Sequence, residues 1–266
     1  MPYISRSPIW PDPRVKPPFG AAELDRSHPL AAGLIALFLC NEGGGDLVNT
    51  VDRLRATRIG TGESSHVATV DGLGVKTQLG TVAGWDSHTS TTYLTPGRLT
   101  IVARVVPATS SLSNIVGRGV APFSYLLAWS TSAANRFAFY MEVTGAGTEW
   151  LDGTSAVPIG QATTVAGTWD GTTKSIVVNG VVEATALPTG NISYGNHHLH
   201  ISDRPDHSGS SIDGSLTLTA VYDRALSAAE LLLVHQEPYA MLRPVIRRRW
   251  FLPAAVGVGS KDTYRR

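Results

Sequence analysis

The chain has 266 residues, a length that a single all-β domain can reach. Charged residues make up only 16% of it and apolar residues 42%, which excludes disorder for the bulk of the chain. The net charge of +1 is unevenly spread, since residues 241–266 carry +6, residues 1–20 carry +2 and residues 21–240 carry −7. Basic segments flanking an acidic body favour contact with a negatively charged surface.

Three further features exclude whole classes of protein. The longest apolar stretch, residues 30–40, is far shorter than the roughly 20 residues needed to span a bilayer, so no transmembrane helix is predicted. Residues 1–18 lack the apolar core of a signal peptide, so we expect synthesis in a cytoplasm without export. The single cysteine, Cys40, excludes an internal disulfide and a multi-cysteine zinc site.

Short apolar runs, separated by clusters of Gly, Asn, Asp and Ser, predict an antiparallel β protein between the two terminal segments. The clearest runs, in chain order, are 33–40, 98–107, 125–129, 136–143 and 163–169. No sustained helical periodicity separates these runs, which argues against a parallel α/β sheet. Within the fifth run, Val165 and Trp169 are expected to point into the core.

Two local signals are more specific. Asn179-Gly180 lies between two β-branched runs and predicts a type I′ hairpin turn, because that turn needs two positive φ angles. The spacing also predicts one helix, over residues 228–236. Ser227 and Glu230 form a capping box at its start.

The segment TVAGTWDGTTKSIVVNGVVEATA, residues 164–186, resembles the central signature of laminin-G-like, concanavalin A-like domains. Residues 213–230 resemble the last strand of that family and the elbow that leads into a short helix. Residues 28–45 and 99–119 match its first strand and the following strand pair. The resemblance extends over about residues 28–237, with the elements in the family's order.

This resemblance implies an all-β fold, a two-sheet antiparallel jelly-roll sandwich of the concanavalin A-like kind with one short C-terminal helix and extended terminal arms. We divide the chain into an extended Pro-rich N-terminal arm (1–27), the jelly-roll domain (28–240) and a basic aromatic C-terminal arm (241–266). The five prolines among residues 8–18 exclude a central strand there, so the first arm is expected to be extended.

The same superfamily contains glycoside hydrolases, and retaining glycosidases need two carboxyl groups about 5–5.5 Å apart. On a strand this would show as closely alternating acids. Here the glutamates are scattered singly, and the chain has no G-x-S-x-G, Walker or H-E-x-x-H motif. We therefore predict that the protein is not an enzyme, with a divergent glycan hydrolase as the weakest of three alternatives.

The chain also contains candidate ligands for a metal ion. His198 and His200 share one face of a predicted strand and Asp203 follows them. These three residues are the metal candidates. Because a scattered His-x-His pair comes with no defined third and fourth ligand, no metal is predicted.

The family's calcium-binding acids correspond to residues 216–219, which are Leu-Thr-Leu-Thr here, so no calcium or other cofactor is predicted. Asp170, Asp203 and Asp213 remain as oxygen ligands that calcium could use, but each is equally a turn residue.

Stacking on sugars requires exposed aromatic rings. From their sequence context, Trp85 and Trp150 are expected to be exposed, whereas Trp129 and Tyr140 lie in strands and are expected in the core.

The terminal arms combine positive charge with aromatic rings, a composition that favours buried contacts over free tails. The predicted partner-binding residues are Arg247, Arg248, Arg249, Trp250, Phe251 and Trp10.

A jelly roll with no leader, one cysteine and such a tail is similar to the structural proteins of tailed bacteriophages. We therefore predict a non-enzymatic virion surface protein, of the capsid-decoration or head-fibre type. Its partners would be copies of itself, the major capsid protein or other virion proteins, with no specific nucleic acid and no membrane. The alternative is a carbohydrate-binding adhesin of a phage tail or cell surface, with a surface glycan as its ligand.

Overall fold

The computed structural model describes residues 12–60, 64–77, 83–87, 94–119, 123–129, 135–145, 147–195, 197–203 and 211–245. These residues form eighteen strands, one α-helix and a short 3-10 helix over Pro29–Ala31. The α-helix, α1, spans Ala228–Gln236. The strands are β1 (Ala22–Leu24), β2 (Leu34–Phe38), β3 (Leu47–Val48), β4 (Arg55–Ile59), β5 (Ser64–Thr69), β6 (Gly72–Thr77), β7 (Gly84–Asp86), β8 (Leu99–Pro107), β9 (Ser113–Arg118), β10 (Tyr125–Trp129), β11 (Arg136–Val143), β12 (Gly147–Ala156), β13 (Thr163–Trp169), β14 (Lys174–Val178), β15 (Val181–Ala186), β16 (Leu199–Ile201), β17 (Gly214–Tyr222) and β18 (Leu242–Pro244).

The strands build two large antiparallel sheets, as a sandwich requires. The front sheet has the order β12-β11-β10-β9-β16-β7-β4-β3. The back sheet has the order β15-β14-β13-β8-β17-β6-β5, and β2 pairs with the far half of β17. In the middle of each sheet, neighbouring strands such as β9 and β16 or β8 and β17 come from distant parts of the chain, so the fold is a sandwich with crossover connections. The predicted all-β jelly-roll class is confirmed.

The main core lies between the two sheets and is built by strict alternation along the strands. In β13, Val165 and Trp169 point inward and are fully buried, as predicted. From the front sheet, alternate residues of β10 meet them, namely Tyr125, Leu127 and Trp129. Each large apolar side chain buried in this way stabilises the fold by about 1.5–3 kcal/mol.

A second apolar layer covers the outer face of the back sheet. Alternate residues of β17, including Leu218 and Ala220, point outward into it. The helix α1 closes this layer with Leu231 and Val234. The back sheet is therefore buried on both faces, and solvent reaches its interior strands on neither side.

Both local predictions are confirmed. Asn179 and Gly180 have φ angles of 51° and 80°, as a type I′ turn demands. The helix occupies the predicted residues 228–236, and the capping box of Ser227 and Glu230 is complete. Arg224 adds a bidentate ion pair to Glu230, with an Nη2–Oε1 distance of 2.7 Å, which holds the pKa of that carboxyl at about 2. In the part of the chain that the structure describes, no helix is long and apolar enough to cross a membrane.

The two terminal segments meet on the back sheet. β1 and β18 form a two-stranded antiparallel ribbon, in which Ala22 is opposite Pro244 and Leu24 opposite Leu242. Leu24 and Leu242 contribute to the second apolar layer. The sequence assigns these strands to two separate arms, whereas the structure hydrogen-bonds one to the other on the outside of the sandwich.

Residues preceding β1 also lie against the chain's own body. Lys16 is partly buried, and its Nζ donates hydrogen bonds to the carbonyl oxygens of Leu73, at 2.5 Å, and Thr217. Burial lowers the pKa of this lysine to about 8. The backbone N–H of Tyr239 donates to the carbonyl of Pro13, so residues 13–24 run across the back sheet.

Candidate functional site

The outer face of the front sheet presents a row of aromatic and polar side chains that the core does not use. Strand register identifies the members, because directly opposite residues of paired strands share a face. Tyr140 is opposite Leu126 and Trp150, Asn114 is opposite Ala128, and His200 is opposite Gly117 and Asp86. We call these residues, with Phe123 and His198, the front-face row. It runs across six strands of the front sheet, from β12 to β7.

The aromatic end of the front-face row is a chain of three rings. Phe123 and Tyr140 meet edge to face with their centroids 5.6 Å apart, and Tyr140 and Trp150 follow at 4.9 Å. Phe123 and Tyr140 are buried, whereas Trp150 is 44% exposed. The exposure of Trp150 and the burial of Trp129 in the main core are as the sequence predicts. Tyr140, which the sequence also places in the core, is buried instead on the outer face of the front sheet, against Phe123. The exposed ring of Trp150 is where a ligand can reach this face.

The prediction for Trp85 is wrong. This side chain is only 1% exposed, lies in the main core between the sheets, and donates from Nε1 to the carbonyl oxygen of Gly45 at 3.0 Å. Its polar neighbours in the sequence are typical of an exposed loop, whereas the structure places it on β7. Successive side chains on a strand point to opposite faces, so Trp85 points inward where Asp86 points outward. This alternation of an aromatic and a charged residue is visible in the sequence.

The histidine end of the front-face row contains two of the three metal candidates. The rings of His198 and His200 are stacked with their centroids 6.5 Å apart. The carboxylate beside His198 is that of Asp86, with an Nδ1–Oδ1 distance of 3.1 Å, a residue that the sequence analysis did not single out. Asp203 is buried next to Gly84. Among the described residues, no group of three or more His, Cys, Asp or Glu side chains is arranged to hold a metal ion.

One side chain in the middle of the front-face row has an unmet hydrogen bond. Asn114 is 3% exposed, and its amide nitrogen Nδ2 finds no acceptor among the described residues. A buried amide donor without an acceptor costs free energy that a bound hydroxyl or carbonyl oxygen would recover. The row therefore offers both a surface for ring stacking and a buried polar donor.

Strand register also separates the acids of this face. Asp86 on β7 and Glu142 on β11 are four strand steps apart, about 19 Å. Asp152 on β12 is opposite Ala138, which is four residues from Glu142 along β11, about 13 Å. Glycosidase carboxyls must lie within about 9.5 Å of each other. These three acids therefore form no such pair.

The remaining sequence-predicted residues lie at turns or outside the described part. Asp170 accepts the backbone N–H groups of Thr172 and Thr173 through Oδ1, and these hydrogen bonds lower the pKa of its carboxyl. It is a turn residue. The proposed partner-binding residues lie outside the described residues, namely Trp10, Arg247, Arg248, Arg249, Trp250 and Phe251.

The fold and this face define a β-sandwich domain with a polar and aromatic outer sheet surface. Residues 61–232 match the model of the concanavalin A-like lectin/glucanases superfamily, in its laminin G branch, and the chain belongs to this family. No curated protein sequence matches the chain.

Solved structures share the fold at low sequence identity. Domain 4 of AbnA, an extracellular arabinanase of Geobacillus stearothermophilus solved with arabinotriose, superposes with a TM-score of 0.61 and 16% identity. The match covers 77% of this chain and 99% of that domain. The sialidase of Trypanosoma rangeli gives 0.58 and 17%, over 79% of this chain and 34% of its own. The receptor-binding domain of botulinum neurotoxin type G gives 0.55 and 12%, over 77% and 51%. The chain thus spans about a third of the sialidase.

Proposed function

We propose that the protein is a non-enzymatic structural component of a bacteriophage particle surface, of the capsid-decoration or head-fibre type, anchored through its terminal segments. Its partners would be copies of itself and other virion proteins, met after synthesis in the host cytoplasm. The proposal goes beyond the family assignment, which establishes a concanavalin A-like sandwich domain.

One observation carries the proposal. The ribbon of β1 and β18 gathers the two ends of the described chain on the outside of the back sheet, while the front-face row lies on the opposite side of the sandwich. Two layer spacings of about 10 Å separate these surfaces, so they are about 20 Å apart. A domain held by its ends would therefore present the front sheet outward.

Charge supports the same arrangement. The segment 241–266 carries a net charge of +6, whereas residues 21–240 carry −7. Arginine pairs with carboxylates in bidentate geometry, so Arg247, Arg248 and Arg249 are suited to the acidic body of a neighbouring copy or to another virion protein. The wide separation of Asp86, Glu142 and Asp152 supports a binding role over a hydrolytic one.

Deleting residues 246–266 tests the anchor. Because β18 ends at Pro244, the ribbon stays intact, and we expect a folded protein with an unchanged melting temperature. Its occupancy on purified particles should fall at least tenfold, as measured by quantitative mass spectrometry. A matched variant with Arg247, Arg248 and Arg249 all changed to Lys keeps the charge and should retain part of the occupancy. Unchanged occupancy of the truncated protein at moderate salt would overturn the proposed anchoring.

A second candidate function is favoured by the exposed ring of Trp150 beside Tyr140 and by the unmet donor of Asn114. Together these features suit a glycan, whose sugar faces stack on aromatic rings. We expect Trp150→Ala to weaken binding to any glycan identified on an array by about tenfold, with the fold intact. Phe19→Ala, which removes an exposed ring outside this face, is the control and should leave binding unchanged. Equal binding by wild type and Trp150→Ala would exclude this face as the glycan site.

A further inference from the structure

Arg118 is a buried cation with unmet hydrogen bonds. It closes β9 with 2% of its surface exposed, and its Nε and Nη1 atoms find no acceptor among the described residues. Its guanidinium carbon lies 5.3 Å from the centroid of the Tyr194 ring. A cation–π contact of this kind contributes far less than the solvation that a buried guanidinium gives up.

Aromatic residues lie beside Arg118, and within the described part of the chain it forms no ion pair with a carboxylate. Tyr125 is directly opposite Arg118 in the sheet, and the rings of Tyr125 and Tyr194 meet edge to face at 6.4 Å. Both tyrosine hydroxyls already donate to backbone carbonyls, Tyr125 to Leu94 at 3.4 Å and Tyr194 to Pro96 at 2.7 Å. Burial raises the pKa of Tyr194, so this residue offers no anion near neutral pH.

The strand ends around Arg118 fix its place in the fold. The residue lies where β9 ends, where β10 begins at Tyr125 and where β16 begins at Leu199, so it sits at one end of the sandwich. This end is distinct from the middle of the front-face row, since Arg118 and Tyr125 face the interior.

We propose that Arg118 anchors a binding site for a single carboxylate group, carried by a small acidic ligand such as a uronic acid. A guanidinium presents a planar fork of donors that matches a carboxylate. One carboxylate neutralises one guanidinium, whereas a phosphate dianion would leave a net negative charge buried between two tyrosine rings. This site is independent of the proposed role in a particle. Unchanged occupancy of the truncated protein would therefore not count against it.

The test compares methyl glucuronide, as its sodium salt, with neutral methyl glucoside at matched ionic strength. At concentrations well above the dissociation constant, the charged sugar is expected to raise the melting temperature of the full chain by about 5 °C over the neutral one. The ¹⁵N–¹H resonance of Arg118 Nε should move with the same dependence on concentration. Phosphate at the same ionic strength should give a smaller rise.

Three variants separate a ligand anchor from a structural cation. Arg118→Met is expected to melt at or above the wild-type temperature without ligand, because an unpaired buried charge has been removed, and to show no response to the charged sugar. Arg118→Lys keeps the charge without the fork and should show a reduced response. Arg55→Gln, at an exposed arginine on the front sheet, should respond as wild type does.

Two results would overturn the proposal. The first is equal melting in glucuronide and glucoside with an unmoved Nε resonance. The second is a melting temperature of Arg118→Met well below that of wild type, which would make the guanidinium a structural cation already paired within the chain. A larger rise in phosphate than in glucuronide would overturn the assignment to a carboxylate.

Discussion

Replacing Trp85 by alanine is expected to lower the free energy of unfolding by about 3–5 kcal/mol. Trp85 lies on β7, between β4 and β16 in the front sheet, and its side chain fills the main core. The ring meets His66 edge to face with the centroids 6.4 Å apart, and its Nε1 donates to the carbonyl of Gly45. The substitution leaves a large cavity and removes the donor of the hydrogen bond to the carbonyl of Gly45. Urea denaturation followed by circular dichroism measures the loss directly.

Trp150→Ala is the matched control for this experiment. It removes the same side chain from a position that is 44% exposed, so a change of less than about 1 kcal/mol is expected. The sequence predicts that both tryptophans are exposed, whereas in the structure Trp85 is buried and Trp150 is exposed. Comparing the two substitutions therefore tests the burial of Trp85. Equal and small losses at both would show that Trp85 is not in the core.

Replacing Gly167 by alanine is expected to destabilise the sandwich by about 1–3 kcal/mol, and by valine more. Gly167 is opposite Ile101 on the inner face of the back sheet. A Cβ atom at this position would lie 2.4 Å from the Cγ and Cδ2 atoms of Phe139 on the front sheet. Ring and backbone cannot both keep their places, so the two sheets must separate locally.

The control and the rescue both use the chain's own residues. Gly97→Ala adds the same methyl group where nothing lies within 4 Å and should change stability by less than about 0.5 kcal/mol. Phe139→Leu removes ring atoms facing Gly167 and should cost less in the Gly167→Ala background than in wild type. Additive losses would contradict the steric explanation.

Features that local sequence determines were predictable. The Asn179-Gly180 turn and the Ser227–Glu230 capping box each need only residues close in sequence, because the hydrogen bonds and φ angles involved are local. The family resemblance rests on such segments in a fixed order, and it led to the correct fold class. The inward side of β13 followed from simple alternation.

Features that depend on pairing between distant strands were not predictable. Asp86 and His198 meet only because β7 pairs with β16, and no alternation within either segment shows that pairing. Lys16 looks like a solvated charge in a proline-rich segment. Its two carbonyl acceptors, on Leu73 and Thr217, come from strands far along the chain. Arg118, likewise, is a strand-end arginine in the sequence and a buried cation in the structure.

The ribbon of β1 and β18 has a consequence for how the chain is made. It joins residue 22 to residue 244, so its first strand has no partner until β18 has been made. At about 5–20 residues per second, Ala22 and Leu24 wait on the order of 10–45 s, with their apolar side chains uncovered. A chain that stops before Leu242 never covers them. A copy that ends before β18 therefore keeps an unpaired apolar strand that chaperones and proteases can recognise, and only copies that include β18 can cover it.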